Sequence, residues 1–359
     1  MGFDANGTGG TKAGVRWAAI SPPAPPAGPA PPPAEPAPMR ILVIGAGAVG
    51  GYFGARLQAG GHHVTFLARG ARLAAMRAHG LRLISPLGDL DLAPVDARPA
   101  PPAEPADLTL IAVKSYDNAA ALALLPTTGA VLTIQNGVEN ADHLLAAAGP
   151  DRALGGSCRL ECESPEPGLV RHSSPFADVA LGPLSQSPAA ARHADDAAAA
   201  FSAAGVSATR LPDGRTAMWR KAMFLSPFSA LTALLDRPWG GIRPHPATLA
   251  VAQAMAREIA AAGRAAGVPG LEGDALAAGL GLFQAAPDTM TSSLHRDLRN
   301  GRPVELDAQL GAILRAAART GTPAPTTAAL FGCLAALAPL RTPDDGAGGP
   351  SPRKPLQGG

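Results

Sequence analysis

Apolar residues run without a break through Ile41-Leu42-Val43-Ile44, and the chain then turns over into glycine. A short apolar run bounded by turn residues predicts a strand buried on both faces, as in a parallel sheet. The glycines that follow open a predicted helix over 48–57, which stops at Gly60-Gly61, and residues 63–67 alternate as a second strand. Residues 81–92 pattern as a hairpin turned at Pro86-Leu87-Gly88, and two further buried strands are predicted over 108–113 and 130–134. Strand-like pieces at 153–160, 168–172 and 177–181 lead to an alanine-rich helix over 193–204. After Leu211-Pro212-Asp213-Gly214 the period changes to that of helices, predicted at 216–235, 246–266, 272–283, 291–299, 303–320 and 325–336, the first of them kinked or broken near Pro227. The expected class is α/β, with a Rossmann-like nucleotide-binding domain over 39–212 followed by an all-helical domain over 213–341. Proline, alanine and glycine dominate 1–38 and 342–359, which are expected to be disordered tails, the folded body starting at Met39.

Composition narrows the picture. A chain of 359 residues can bury two cores, and a formal charge of +2 with no basic stripe argues against nucleic acid or an anionic membrane surface as partner. No apolar run is long enough to cross a membrane, and prolines interrupt every candidate signal-peptide core. Cys158, Cys162 and Cys333 are odd in number and form no C-x-x-C pair, so reduced thiols in a cytoplasm are expected, with no metal site. No feature of the chain specifies an oligomeric state.

The candidate chemistry starts at Gly45-Ala46-Gly47-Ala48-Val49-Gly50, a G-x-G-x-x-G turn between a strand and a helix. Gly45 permits the tight turn, Gly47 lets backbone approach a pyrophosphate, and Gly50 lets the helix pack closely on the strand. No Asp or Glu lies between Met39 and Asp89 to hold a ribose 2′-hydroxyl; Arg69, with Arg72 behind it, stands where a 2′-phosphate would lie. The expected cofactor is therefore NADPH/NADP+. Lys114 and Asn136 end two of the predicted parallel strands and share the carboxyl edge of the sheet with Arg69 and the glycine turn.

Four lysines occur, Lys12, Lys114, Lys221 and Lys354, and the first and last lie in the expected tails. In a chain that uses arginine nearly everywhere else, the two in the folded body mark positions where guanidinium cannot serve, because an ammonium can give up its proton. On a helix Lys221 shares the stripe of Ala217, Met218, Phe224 and Leu225, which places its amine on the apolar side, as a candidate proton donor or as a snorkelling lysine. Glu305 is expected in the first turn of a helix opened by Pro303, and Ser293 beside a helix cap; both positions are also met without any function.

Met39 through Gly51, Val113-Lys114, Gln135-Asn136-Gly137, Trp219-Arg220-Lys221, Thr291-Ser292-Ser293 and Glu305, in that order and at those separations, resemble the ketopantoate reductase family (2-dehydropantoate 2-reductase) over essentially all of 39–339. The resemblance implies NADPH-dependent reduction of 2-dehydropantoate to pantoate, on the route to pantothenate and coenzyme A. It implies Lys221 as proton donor, Lys114 and Asn136 near the nicotinamide, Asn136 and Ser293 against substrate, and Glu305 between cofactor and substrate. One departure stands out: where pantoate-forming members carry two asparagines after the lysine, this chain has Leu225 and Ser229. A more apolar pocket is expected, and two alternatives stay open: a paralogue acting on another branched 2-oxo acid or ketone, and a non-catalytic NADPH sensor.

Overall fold

The computed structural model describes residues 37–338. Lys12, Lys354 and all but the last two residues of the first expected tail lie outside that range, as does the whole of the second. The apolar run is strand β1 (Arg40–Ile44), followed by helix α1 (Ala48–Ala59) and strand β2 (His63–Leu67), with β1 and β2 parallel from Arg40↔His63 to Ile44↔Leu67. Helix α2 (Gly70–His79) comes next; it buries only Met76, so its sequence carries no apolar stripe and the hydrophobic pattern does not reveal it. The predicted hairpin forms as β3 (Leu81–Ile84) and β4 (Leu90–Leu92), in register from Leu81↔Leu92. Strands β5 (Asp96–Arg98) and β6 (Leu108–Ile111), helix α3 (Asn118–Leu122), strand β7 (Ala130–Thr133) and helix α4 (Asn140–Ala148) complete the first half of the sheet.

The chain then forms β8 (Ala153–Arg159), β9 (Cys162–Glu163), β10 (Leu169–His172) and β11 (Asp178–Pro183). Helix α5 (Pro188–Ala203) begins five residues before the expected start, because Ser187 caps it by accepting from the Ala189 amide and Pro188 suits the first helical position. Strand β12 (Ser207–Arg210) is the last. One eight-stranded sheet runs β12-β11-β8-β7-β6-β1-β2-β5, parallel except where β11 meets β8; a smaller sheet runs β4-β3-β10-β9. Helix α1 lies between the two sheets, which explains how it tolerates Gly50, Gly51 and Gly54. A Cβ on Gly51 would sit 2.8 Å from Val170, and one on Gly54 2.3 Å from the Phe66 ring. Glycine costs a helix about 1 kcal/mol against alanine, and the close packing on both faces offsets it.

From Gly214 onward the described residues contain helices and no strand. Helix α6 (Gly214–Leu235) starts wedged against two strands: a Cβ on Gly214 would meet Gly155 O at 2.4 Å and Gly182 O at 2.5 Å. The helix packs on β8 and β11 and also on α7 (Pro246–Ala265), α8 (Gly273–Ala285) and α9 (Ser293–Arg299), with Gly263 of α7 pressed against Trp219. Of the kink or break expected near Pro227, the break does not occur, since one helix runs through it. Every residue from Ser226 to Ala233 is buried, so tertiary packing holds the helix through the missing donor. Phe228, Trp239 and Phe283 form the centre of the helical core, with Trp239 Nε1 donating to Phe283 O at 2.7 Å.

A second correction concerns Glu305. Residues 302–305 have no regular structure, and the helix begins only at Leu306, so Glu305 precedes it rather than occupying its first turn. Residues Asp307–Gly311 then form a π-helical turn that runs into α10 (Ala312–Thr320), and α11 (Pro325–Leu337) closes the described chain. Among the described residues no helix is long and apolar enough to cross a membrane, and no group of three or more His, Cys, Asp and Glu is placed to hold a metal ion.

Candidate active site

The carboxyl ends of the parallel strands open into a cleft of about 1360 Å³ whose far wall is helical: Lys221, Phe224, Leu225 and Phe228 of α6, the end of α8, and the start of α9. Single small ligands fill about 300–1000 Å³, so the cleft has room for a dinucleotide and a small acid together. Gly45 adopts φ +103°, and a Cβ there would sit 2.7 Å from Val113 N, so the turn needs glycine for both its conformation and its contact with the end of β6. Gly47 differs. A Cβ on it would meet nothing within 4 Å, because that side of the residue faces the open cleft. Gly47 is also the N-cap of α1 and supplies no side chain to the free amides there, which leaves them for an anion. A pyrophosphate fits this cradle. Gly45, Ala46, Gly47, Ala48 and Val49 all line the cleft; Gly50 does not, since a Cβ on it would meet Gly45 O at 2.1 Å, and its place is in packing.

Arg69 ends the segment after β2, is exposed, lines the cleft, and has no side-chain hydrogen bond or ion pair among the described residues. Arg72 is partly committed elsewhere, donating to Ser164 Oγ at 2.9 Å. The cofactor end of the cleft therefore combines a bare helix N-terminus with one free guanidinium, the donor set a dinucleotide carrying a 2′-phosphate requires.

Lys114 and Glu305, expected at the nicotinamide end, are brought together directly. Lys114 Nζ lies 3.2 Å from Glu305 Oε2 and 3.0 Å from Asp297 Oδ2, while Glu305 Oε1 accepts from the Ser115 amide at 2.9 Å. Burial would pull the Lys114 amine down, but the two carboxylates outweigh it and hold its pKa above the ordinary lysine value. Asp297 escapes the sequence reading. Its one signal is spacing: it lies four residues after Ser293 on α9, and both line the cleft.

Lys221, Asn136 and Ser293 share the cleft with the cofactor cradle. All three line the cleft, Lys221 from the first half of α6, Asn136 from the loop after β7, and Ser293 from the first position of α9. The cap itself is Ser292, whose hydroxyl accepts from the His295 amide, so Ser293 is left free of that duty. Lys221 is half-buried and makes no hydrogen bond or ion pair with a protein group among the described residues. Beyond it the wall turns apolar, with Phe224 stacked on Phe228 at 5.3 Å and Leu225, Leu282 and Met290 beside them. Leu225 thus faces the cleft as its position predicts. Ser229 does not: it is fully buried behind the wall, and its hydroxyl has no partner among the described residues. Cys158 and Cys162 also line the cleft, and burial pushes the Cys162 thiol up to about 12 and raises Cys158, which keeps both protonated and poor as nucleophiles.

Comparison with known proteins agrees with this geometry. Residues 41–186 match the family model described as ketopantoate reductase PanE/ApbA, and residues 213–338 match its C-terminal counterpart. A 2-dehydropantoate 2-reductase of Halobacterium salinarum is 32% identical over 78% of this chain and 92% of its own length. An uncharacterized oxidoreductase of Bacillus subtilis, YkpB, is 29% identical over 82% of this chain and 97% of its own length. Among solved structures, the 2-dehydropantoate 2-reductase of Geobacter metallireducens superposes with a TM-score of 0.76 at 30% identity, covering 83% of this chain and 99% of that one. With both halves of the family model matched and the cradle for the cofactor in place, the chain belongs to the ketopantoate reductase family, a family of NADPH-dependent oxidoreductases.

Proposed function

We propose that the protein reduces 2-dehydropantoate to (R)-pantoate with NADPH, residues 39–212 taking the cofactor and the helical part from residue 213 supplying the proton donor. The observation that carries this reading is the meeting, in one cleft, of the glycine turn, the free Arg69 and the unpaired Lys221. When bound, NADPH supplies the hydride that the ketone carbon takes up. Gly45 to Val49 hold the pyrophosphate, Arg69 the 2′-phosphate, and Lys114, Asn136 and Glu305 the nicotinamide end. Lys221 donates a proton from Nζ to the ketone oxygen, so that C=O gains one hydride and one proton and becomes CH–OH. Asn136 and Ser293 orient the substrate by hydrogen bonds, and the helical wall keeps water from the reacting carbon.

The test is oxidation of NADPH, followed by its near-ultraviolet absorbance, with 2-dehydropantoate and a panel of other 2-oxo acids. Lys221→Ala is expected to lower kcat by roughly a hundredfold or more, the scale of a positioned general acid, while NADPH still binds. Turnover unchanged in that variant would remove Lys221 from the chemistry. A second reading is favoured by one observation, the apolar wall of Phe224, Leu225 and Phe228 beside Lys221: the preferred substrate is then a 2-oxo acid with an apolar branch, and the panel decides between the two.

A further inference from the structure

Next to Lys221, and sharing part of its lining with the main cleft, lies a second, very small cavity of about 10 Å³. That is at the lower bound of the space one water molecule needs. Its polar lining includes Asn136, Ser157, Lys221 and Gln309. The first three, together with Gln135 and Leu225, also line the main cleft and so lie between the two spaces; Gln309 lines only the small one. Gln309 is 3% exposed, and neither its amide nitrogen nor its amide oxygen has a hydrogen-bond partner among the described residues. Leaving a buried amide unpaired at both ends costs several kcal/mol in an apolar setting, and such groups in folded proteins are met by protein or by ordered water.

The backbone shows how Gln309 comes to be there. It sits in the π-helical turn Asp307–Gly311, and its carbonyl accepts from Ser226 Oγ of α6 at 3.0 Å. The same turn is pressed against the loop that carries Asn136: a Cβ on Gly137 would lie 2.8 Å from Ala308 O. The widened turn therefore docks on both elements that supply Lys221 and Asn136, and directs its one unpaired amide between them. Single-turn π-bulges of this kind are frequent at functional sites.

We propose that the small cavity holds one ordered water, fixed by the Gln309 amide, and that this water holds the Lys221 ammonium. Gln309 is then a positioning residue for the proton donor. An ammonium has three N–H donors, and only one is needed for the ketone oxygen. A water accepting a second, and itself donating to the Gln309 side-chain amide oxygen, fixes the orientation of the amine without adding a charge. The neutrality matters, because a carboxylate in the same place would favour the protonated amine and oppose donation. The thiols of Cys158 and Cys162 near Lys221 are kept neutral by burial; Arg296, Glu163 and Asp178 are the charged groups that share their surroundings with Lys221.

This inference rests on Lys221 as the donor, and the experiment separates the two. A crystal structure of the unliganded protein is expected to show one water within hydrogen-bond distance of the Gln309 amide and Lys221 Nζ, absent in Gln309→Met, which keeps the volume and removes the polar groups. In steady state Gln309→Met is expected to lower kcat about tenfold to a hundredfold, the scale of a misplaced reacting group, with KM for NADPH unchanged. Gln309→Glu is expected to move the alkaline limb of the kcat profile to higher pH. A dry cavity in the wild type, or Gln309→Met with unchanged kcat and only a lowered Tm, overturns the positioning role while Lys221→Ala still lowers kcat by roughly a hundredfold or more. If Lys221→Ala leaves kcat unchanged, the donor assignment itself falls and the positioning role falls with it.

Discussion

Gly47 and Gly50 stand three residues apart in one motif and answer to opposite demands. A methyl group on Gly50 would overlap the carbonyl of Gly45 at 2.1 Å, whereas one on Gly47 would enter open cleft. Gly50→Ala is therefore expected to destabilise the fold by about 1–3 kcal/mol or more, the usual scale of overpacking, seen as a fall in Tm. Gly47→Ala is expected to leave Tm in place and to weaken NADPH binding about tenfold or more, since 1.4 kcal/mol of crowding against the pyrophosphate suffices. Equal effects on Tm would contradict the division. Arg69→Ala, by removing an unpaired guanidinium, is expected to cost NADPH about 1.5–3 kcal/mol of affinity, the worth of a charged hydrogen bond, and NADH almost nothing; titration with both cofactors by fluorescence reads the difference. These residues were legible from sequence because their spacing is local. Asp297 and Gln309 were not, because each owes its place to a partner from a distant element: Lys114 is 183 positions from Asp297, and the turn that carries Gln309 is held by Ser226 of α6 and by the loop at Gly137.

Helix α6 shows what an element adds. Its apolar stripe placed Lys221 on the inner face, and that face does line the cleft. The stripe gave no warning that the helix would pass through Pro227 unbroken, because continuity there depends on burial by α7, α8 and α9 rather than on local preference. The same limit applies to Glu305: proline at 303 reads as a helix start, yet the carboxylate is held by the Ser115 amide and Lys114, and the helix opens only at Leu306. Position along α6 also separates the two departures from the family pattern. Leu225 is one turn beyond Lys221 and faces the cleft; Ser229 is two turns beyond and fully buried. Leu225→Asn alone is expected to raise kcat/KM for 2-dehydropantoate relative to apolar 2-oxo acids by about tenfold, since a site that pairs a substrate hydroxyl rejects analogues lacking it. Ser229→Asn is expected to lower Tm instead, because it forces a larger polar group into a filled core. A specificity change from Ser229→Asn without one from Leu225→Asn would mean that the wall is not where substrate is read.

At the scale of the whole molecule, the order of a parallel α/β sheet and then helices was readable from periodicity, since it needs only local pattern. How the two parts are fastened was not. Besides Lys114 with Asp297 and Glu305, a second cluster joins them: Glu139, just before α4, receives Arg315 at 2.6 Å and Arg319 at 3.2 Å from α10, and Arg315 also reaches Asp307 at 2.7 Å. Burial alone would push the Glu139 carboxyl up, but hydrogen bonds and charge from Arg315 and Arg319 outweigh it and hold its pKa below the ordinary value. Folding thus favours the ionised form. The contribution is present in full above the ordinary glutamate value and is lost as pH falls through the depressed folded value. Because both arginines remain about half exposed, the pair is worth only about 1 kcal/mol. Glu139→Gln is expected to lower Tm by about 2–4 °C near neutral pH, for a domain of this size, and by progressively less as the pH falls below about 4. A Tm difference that stays constant from neutral pH into that range would show that Glu139 contributes through packing, and that its charge does not fasten the helical part to the sheet.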